Sequence, residues 1–230
     1  MFIGHFAVGF ASKRAAGRVS LGWLLLAPLL VDLLWPVFLL LGWERVQIVP
    51  GATAMTPLAF EWYPWSHSLV MMILWALVFA TIVLGATHDW VATVVVFGAV
   101  QSHWALDWVT HRPDMPIWPF GEKYGLGLWN SVAGTVGVEL ALFAAGVWLY
   151  ARGTRPRDAI GRWGWRGMIV LLLAIYAGNV AGPPPPSVGA IAGLALLLWL
   201  FPVLAWWVDR HREVIEPAGG GGLSTVDATG

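Results

Sequence analysis

Six stretches of this chain are apolar over close to the length needed to cross a bilayer, and no other feature constrains its fold as much. They run roughly over 21–42, 67–87, 90–108, 128–150, 167–182 and 188–208. A spanning helix takes about 20 mostly apolar residues. Backbone in hydrocarbon must satisfy its own hydrogen bonds, so each run is predicted as a helix. The fifth is short because the PPPP run at 183–186 stops it, and Pro202 predicts a kink in the sixth. Only 11% of the residues are charged, against about 25% in a soluble domain. The expected architecture is all-α: a polytopic transmembrane helical bundle of six spans. It forms one membrane domain over 1–216, followed by a disordered tail over 217–230 that contains GGGG.

Charge sets the expected orientation. With six spans and both termini inside, ten of the basic residues face the cytoplasm: Lys13, Arg14, Arg18, Arg152, Arg155, Arg157, Arg162, Arg166, Arg210 and Arg212. Arg45, Arg112 and Lys123 lie outside. The bias predicts a multi-pass inner-membrane protein, N-in and C-in. A net charge of zero excludes the electrostatic footprint of a nucleic-acid binder. The absence of cysteine excludes disulfides and thiolate metal sites. The first twenty residues do not read as a cleavable signal peptide. Both outer loops, 43–66 and 109–127, are rich in Trp, Tyr and Pro, as suits the headgroup level.

Ionisable residues inside spans are costly, so each is a functional candidate. The stretch "HWALDWVTH" sets His103, Asp107 and His111 four residues apart, twice. That spacing projects them from one helix face, a stripe climbing about 12 Å toward the outer surface. A histidine and a carboxylate at i, i+4 can ligate one divalent ion, Zn²⁺ foremost and also Mn²⁺ or Fe²⁺. The bland alternative is a hydrogen-bonded packing stripe. His67 in "WSHS" lies near the depth of Asp107, flanked by Ser66 and Ser68. No nucleophile-elbow motif accompanies those serines. Asp32 in "LLVDLLWP" falls near mid-membrane and needs a cation, a proton or a metal.

The opening "MFIGHFAVGFA" is apolar for eleven residues before Lys13. As a re-entrant half-helix it would carry His5 about 12 Å above that lysine, close to the depth of Asp32. Gly4 and Gly9 would then permit close packing. The alternative is an amphipathic surface anchor. Glu139, in the fourth span, reads as an outer-sphere partner, a buried acid or a further ligand. Glu61 and Asp114 are candidate general bases or plain loop acids. Arg112 could hold an anionic group bidentately beside a metal, or anchor the interface. His88 and His211 read as surface residues in cytoplasmic connections.

"GHFAVG", "APLLVDLLWP", "SHSL" and "HWALDWVTHRPDMPIWP" together resemble the predicted membrane-bound metal-dependent hydrolases, some described as LexA-binding inner-membrane-associated hydrolases of bacteria. The resemblance covers about residues 1–140. It implies a hydrolase using His and Asp ligands, and the matching positions here are His5, Asp32, His67, His103, Asp107 and His111. The His-x-x-x-Asp pair followed by a further His is also similar to part of the zinc-dependent phospholipase C pattern. The later His-x-x-x-Glu pair of that family is missing here, so one or two ions are implied rather than three. No segment accounts for LexA binding.

The resulting expectation is a membrane-embedded hydrolase whose metal site opens outward. His67, His103, Asp107 and His111 are its ligands, with Asp32 and His5 in a deeper tier. A site at headgroup depth favours membrane lipids or lipid-linked phosphoesters as substrates. The competing reading is an ion, proton or metal pathway, which would distribute such residues from face to face. Haem held by His67 and His103 would leave the carboxylates without purpose. The histidine boxes of diiron desaturases do not occur. A purely structural bundle is the remaining alternative.

Overall fold

A computed structural model describes residues 1–215. The expected tail, 217–230, lies outside the described residues. The chain opens with α1 (Ile3–Ser12), followed by α2 (Leu21–Leu40). A hairpin, β1 (Arg45–Ile48) and β2 (Leu58–Trp62), leads into the single turn α3 (Pro64–His67). Next come α4 (Leu69–Thr87) and α5 (Trp90–Thr110), then the two-residue strands β3 (Met115–Pro116) and β4 (Lys123–Tyr124). A 3₁₀ turn, Leu128–Asn130, precedes α6 (Val132–Gly153). After it run β5 (Thr154–Pro156), α7 (Ala159–Ala181), α8 (Val188–Leu196), α9 (Leu200–Arg210) and β6 (Arg212–Val214). The strands form three separate antiparallel pairs, so the body is a helical bundle.

Among the described residues, five helices are long and apolar enough to cross a membrane: α2, α4, α6, α7 and the run Val188–Arg210. The third expected span is present as α5, but it is not among these five. Gln101, Ser102, His103 and Asp107 dilute its apolar character. It packs instead on α4, α2 and α1.

Several boundaries differ from expectation, each for a local reason. The second span starts at Leu69, because Ser68 caps it by accepting from the Met71 N–H. The fourth starts at Val132, where Ser131 caps it, and continues to Gly153. The fifth is not short: Asp158 accepts from the Gly161 N–H and starts the helix at Ala159. The sixth breaks into a 3₁₀ turn at Leu197–Trp199, ahead of Pro202 in the first turn of α9. Pro is tolerated in a first turn, where its missing N–H has no intrahelical partner to lose.

The half-helix α1 is about 15 Å long and lies inside the bundle, against α6, α2 and α5. Ile3, Phe6 and Phe10 are fully buried on it. Two glycines set its distances. A Cβ at Gly146 of α6 would lie 2.6 Å from the Cα of Ala7. One at Gly9 would lie 2.9 Å from the carbonyl of Leu24, which Pro28 leaves without its helical donor. Gly4, expected to serve in the same way, faces the Met1 side chain instead.

The basic end of the bundle holds a buried polar network. Lys13, expected at the cytoplasmic surface, is buried and donates to Asp209 at 2.6 Å and to the Val19 carbonyl at 2.7 Å. Tyr150 donates to the other Asp209 oxygen at 2.9 Å. Arg212 donates to Thr154 and to the Gly161 carbonyl, tying β6 to β5 and α7. Around this end, Arg152, Arg166 and Arg210 lie over Trp148, Trp163 and Trp206, the arrangement of an interfacial aromatic belt.

Candidate functional site

Six of the residues singled out in the sequence meet in one place. The stripe on α5 faces inward: His103 and Asp107 are buried, and His111, at the helix C-cap, is 2% exposed. Asp107 is the hub. Its Oδ2 lies 3.1 Å from His103 Nε2, 3.6 Å from His111 Nε2 and 3.9 Å from His67 Nε2. Its Oδ1 lies 3.0 Å from His5 Nε2 and contacts the amino nitrogen of Met1. Asp32 Oδ1 comes within 3.5 Å of His67 Nε2 and 3.7 Å of His103 Nε2. The rings of His5 and His103 stack with centroids 3.8 Å apart. The two expected tiers are therefore one cluster: α1 and α2 bring His5 and Asp32 to the same depth as the α5 stripe.

Three imidazoles are pinned from behind. His103 Nδ1 donates to the carbonyl of Pro28 at 2.7 Å. His111 Nδ1 donates to Asp114 Oδ1 at 2.9 Å. His67 Nδ1 donates to Ser66 Oγ at 2.6 Å, and that hydroxyl in turn donates to Glu44 Oε2 at 2.7 Å. Each bond fixes the tautomer that leaves the Nε2 lone pair toward Asp107. An Nδ1–H bonded to a carbonyl or carboxylate is the usual support of a metal-ligating histidine. His103 Nε2 is buried without a hydrogen-bond partner among the described residues, as is His5 Nδ1. A buried acceptor left unpaired costs about 1–3 kcal/mol, and a cation beside Asp107 would remove that cost at His103 Nε2. The subsets His5–His103–Asp107 and Asp32–His67–His103 each gather three donor atoms within the reach of one ion. Imidazole nitrogen with carboxylate oxygen is a donor set for Zn²⁺, Mn²⁺ or Fe²⁺.

Two supporting residues escaped the sequence reading. Glu44 is 2% exposed and accepts from both the N–H and the hydroxyl of Ser66. Burial pushes its carboxyl up from the ordinary range, and the nearby His67 imidazole and the Ser66 bonds offset part of that. Tyr63 donates to Asp114 Oδ1 at 3.0 Å and packs its ring on His67. Burial raises its hydroxyl well above the usual tyrosine range, so it stays a donor.

The remaining candidates take other positions. Asp114 is buried and orients His111, while Arg112 Nε bonds its second oxygen at 3.1 Å with a side chain 38% exposed. Glu61 is exposed on β2, and its carboxylate makes no hydrogen bond among the described residues. Ser68 caps α4. Glu139 accepts from the N–H groups of Phe2 at 2.8 Å and Gly4 at 3.3 Å, capping α1 from a neighbouring helix. His88 is the left-handed C-cap of α4, and His211 bonds Asp158. Toward the loops 43–66 and 109–127, the rings of Phe60, Tyr63 and Trp129 cover His111. Of the six clustered residues, Asp32 alone keeps appreciable exposure, 25% of its side chain.

Fold and cluster together define a polytopic helical membrane protein with a buried, pre-oriented His/Asp centre. Residues 64–182, from α3 to the end of α7, match the family described as YdjM inner membrane protein. The match spans more than half of the chain, which therefore belongs to that inner-membrane family. No curated protein and no solved structure is significantly similar to it.

Proposed function

We propose that the protein is a membrane-embedded, metal-dependent hydrolase, with lipid or lipid-linked phosphoesters as its substrate class. The observation that carries this is the convergence of three Nε2 atoms on one carboxylate. His67, His103 and His111 each have Nδ1 engaged by a protein acceptor, and each presents Nε2 to Asp107 Oδ2 within 3.9 Å. These three with Asp107 would hold the ion, and Asp32 and His5 complete the donor set. A bound divalent ion supplies Lewis acidity and brings the ionisation of water toward neutral pH. The chain itself orients the ligands through Glu44–Ser66, Asp114–Tyr63 and Pro28. It excludes bulk water with the aromatic cover, and it offers Arg112 at the outer end for an anionic group.

A pathway across the membrane is less well supported. On α1, between His5 and Lys13, the buried side chains are Phe6, Ala7, Gly9 and Phe10, with no ionisable group among them. A porphyrin between His67 and His103 would have to displace Asp32, which lies within 3.7 Å of both imidazoles. The expected orientation, N-in and C-in, belongs to the same proposal.

The test is turnover by purified protein reloaded with Zn²⁺ or Mn²⁺ and offered chromogenic phosphodiesters and vesicle-borne phospholipids. We expect hydrolysis abolished by a chelator, restored by metal, and absent in Asp107→Ala. Hydrolysis indifferent to chelator and to Asp107→Ala would overturn the reading.

A further inference from the structure

A groove of about 490 Å³ lies on the other side of the wall that carries His67. Phe38, Trp43, Trp65, Met71 and Trp75 line it. Ligand pockets typically enclose about 300–1,000 Å³. Phe38 comes from the outer end of α2, Trp65 from α3, and Met71 and Trp75 from α4. The lining offers almost only carbon, because Trp75 donates its Nε1–H to the Trp65 carbonyl at 2.7 Å.

The wall between groove and cluster is two short segments, and neighbouring residues divide between the two sides. Trp43 lines the groove, while Glu44 beside it turns to Ser66. Trp65 lines the groove, while Ser66 and His67 turn to the cluster. The groove thus opens at the outer end of the helices, directly behind the residues that hold an imidazole in place. What reaches it follows from its surroundings. On α4, a candidate membrane span, Leu74, Leu77 and Val78 are exposed, and Leu40 and Leu41 are exposed beside Phe38. On a helix apolar enough to cross a membrane, such an exposed apolar face is one that bilayer hydrocarbon would cover. A lining so poor in exposed polar atoms is ill-suited to a headgroup, but it can take an alkyl or isoprenoid chain.

We propose that this groove seats the hydrocarbon chain of a membrane lipid whose polar end lies at the His/Asp cluster. Calling that lipid the substrate rests on the hydrolase reading; the seating of the chain does not. A second groove serves as the comparison. It is formed by Leu140, Phe143, Ala144, Val147, Ile169 and Leu173, encloses about 310 Å³ and has no imidazole on its wall. It should take only passing bilayer lipid.

The test is photolabelling of the full chain in phospholipid nanodiscs doped with a phospholipid carrying a diazirine near the end of one acyl chain. Labelled peptides are mapped by mass spectrometry. We expect labelling around Trp65–Trp75 several-fold above that of the α6–α7 groove. It should persist in Asp107→Asn, so that failure of the hydrolase reading would leave it intact. It should fall to the level of the comparison groove in Met71→Trp, which fills the space. Trp43→Ala, at a residue already 56% exposed, should lower it as well without a folding penalty. Equal labelling of the two grooves, indifference to both groove variants, or crosslinking between copies through this face would overturn the proposal.

Discussion

At the scale of single residues, the centre depends on groups that never touch its middle. Glu44 acts through Ser66 on His67, and Tyr63 acts through Asp114 on His111. Loss of such a supporting partner typically lowers metal affinity about 10–100-fold. We therefore expect Glu44→Ala to weaken Zn²⁺ binding by that order in a competitive chelator titration, with the helical signal in circular dichroism unchanged. Unchanged affinity would make the Glu44–Ser66 chain a purely structural link. The inward-facing stripe itself was legible, because His-x-x-x-Asp-x-x-x-His fixes a helix face by spacing alone. Glu44 was not: an acid beside Arg45 at a helix end looks like an ordinary solvated charge, and only the fold of the β1–β2 hairpin buries it. Tyr63, in "FEWYPW", looked like one more interfacial aromatic for the same reason. Glu61, two residues earlier, was a candidate general base or a plain loop acid, and it is exposed on β2.

At the scale of elements, α1 is a half-length helix that exists because its neighbours complete it. Its first N–H groups are satisfied by Glu139 of α6, and its backbone approaches α6 at Gly146. Gly146→Val would force the two backbones apart. Overpacking of this kind costs about 1–3 kcal/mol, so we expect a lower melting midpoint together with weaker metal binding, since His5 rides on α1. An unchanged midpoint would mean that the approach is looser than described. At the other end, Asp158 starts α7 and pairs with His211. The bond from the Gly161 N–H, chiefly, holds its carboxyl below the usual range. A depressed carboxyl stabilises the fold above its unfolded pKa, and that stabilisation is lost as pH falls through the folded value. Asp158→Ala should therefore melt earlier than wild type at pH 7, with the difference closing in acid. Hydropathy alone missed this start, because Arg162 and Arg166 read as loop, and the cap at Asp158 emerges only from the structure.

At the scale of the whole molecule, the His/Asp centre and the basic network occupy opposite ends of one bundle. The apolar runs made the bundle legible, and the distribution of Lys and Arg carries the expected orientation, N-in and C-in, which is a proposal to be tested. Convergence of α1, α2, α3 and α5 on Asp107 was not legible, because it depends on crossing geometry that no single segment encodes. The chain has no cysteine, so single cysteines report its orientation cleanly. Ala54→Cys should react with a membrane-impermeant maleimide in spheroplasts, and Arg157→Cys only after permeabilisation; the reverse pattern would invert the topology. The most direct test of the central claim is the metal content of detergent-purified protein, measured by mass spectrometry beside His103→Ala and Asp107→Ala. We expect near-stoichiometric Zn²⁺ or Mn²⁺ in the wild type and its loss in both variants. Folded wild-type protein that stays metal-free after reloading would contradict the account.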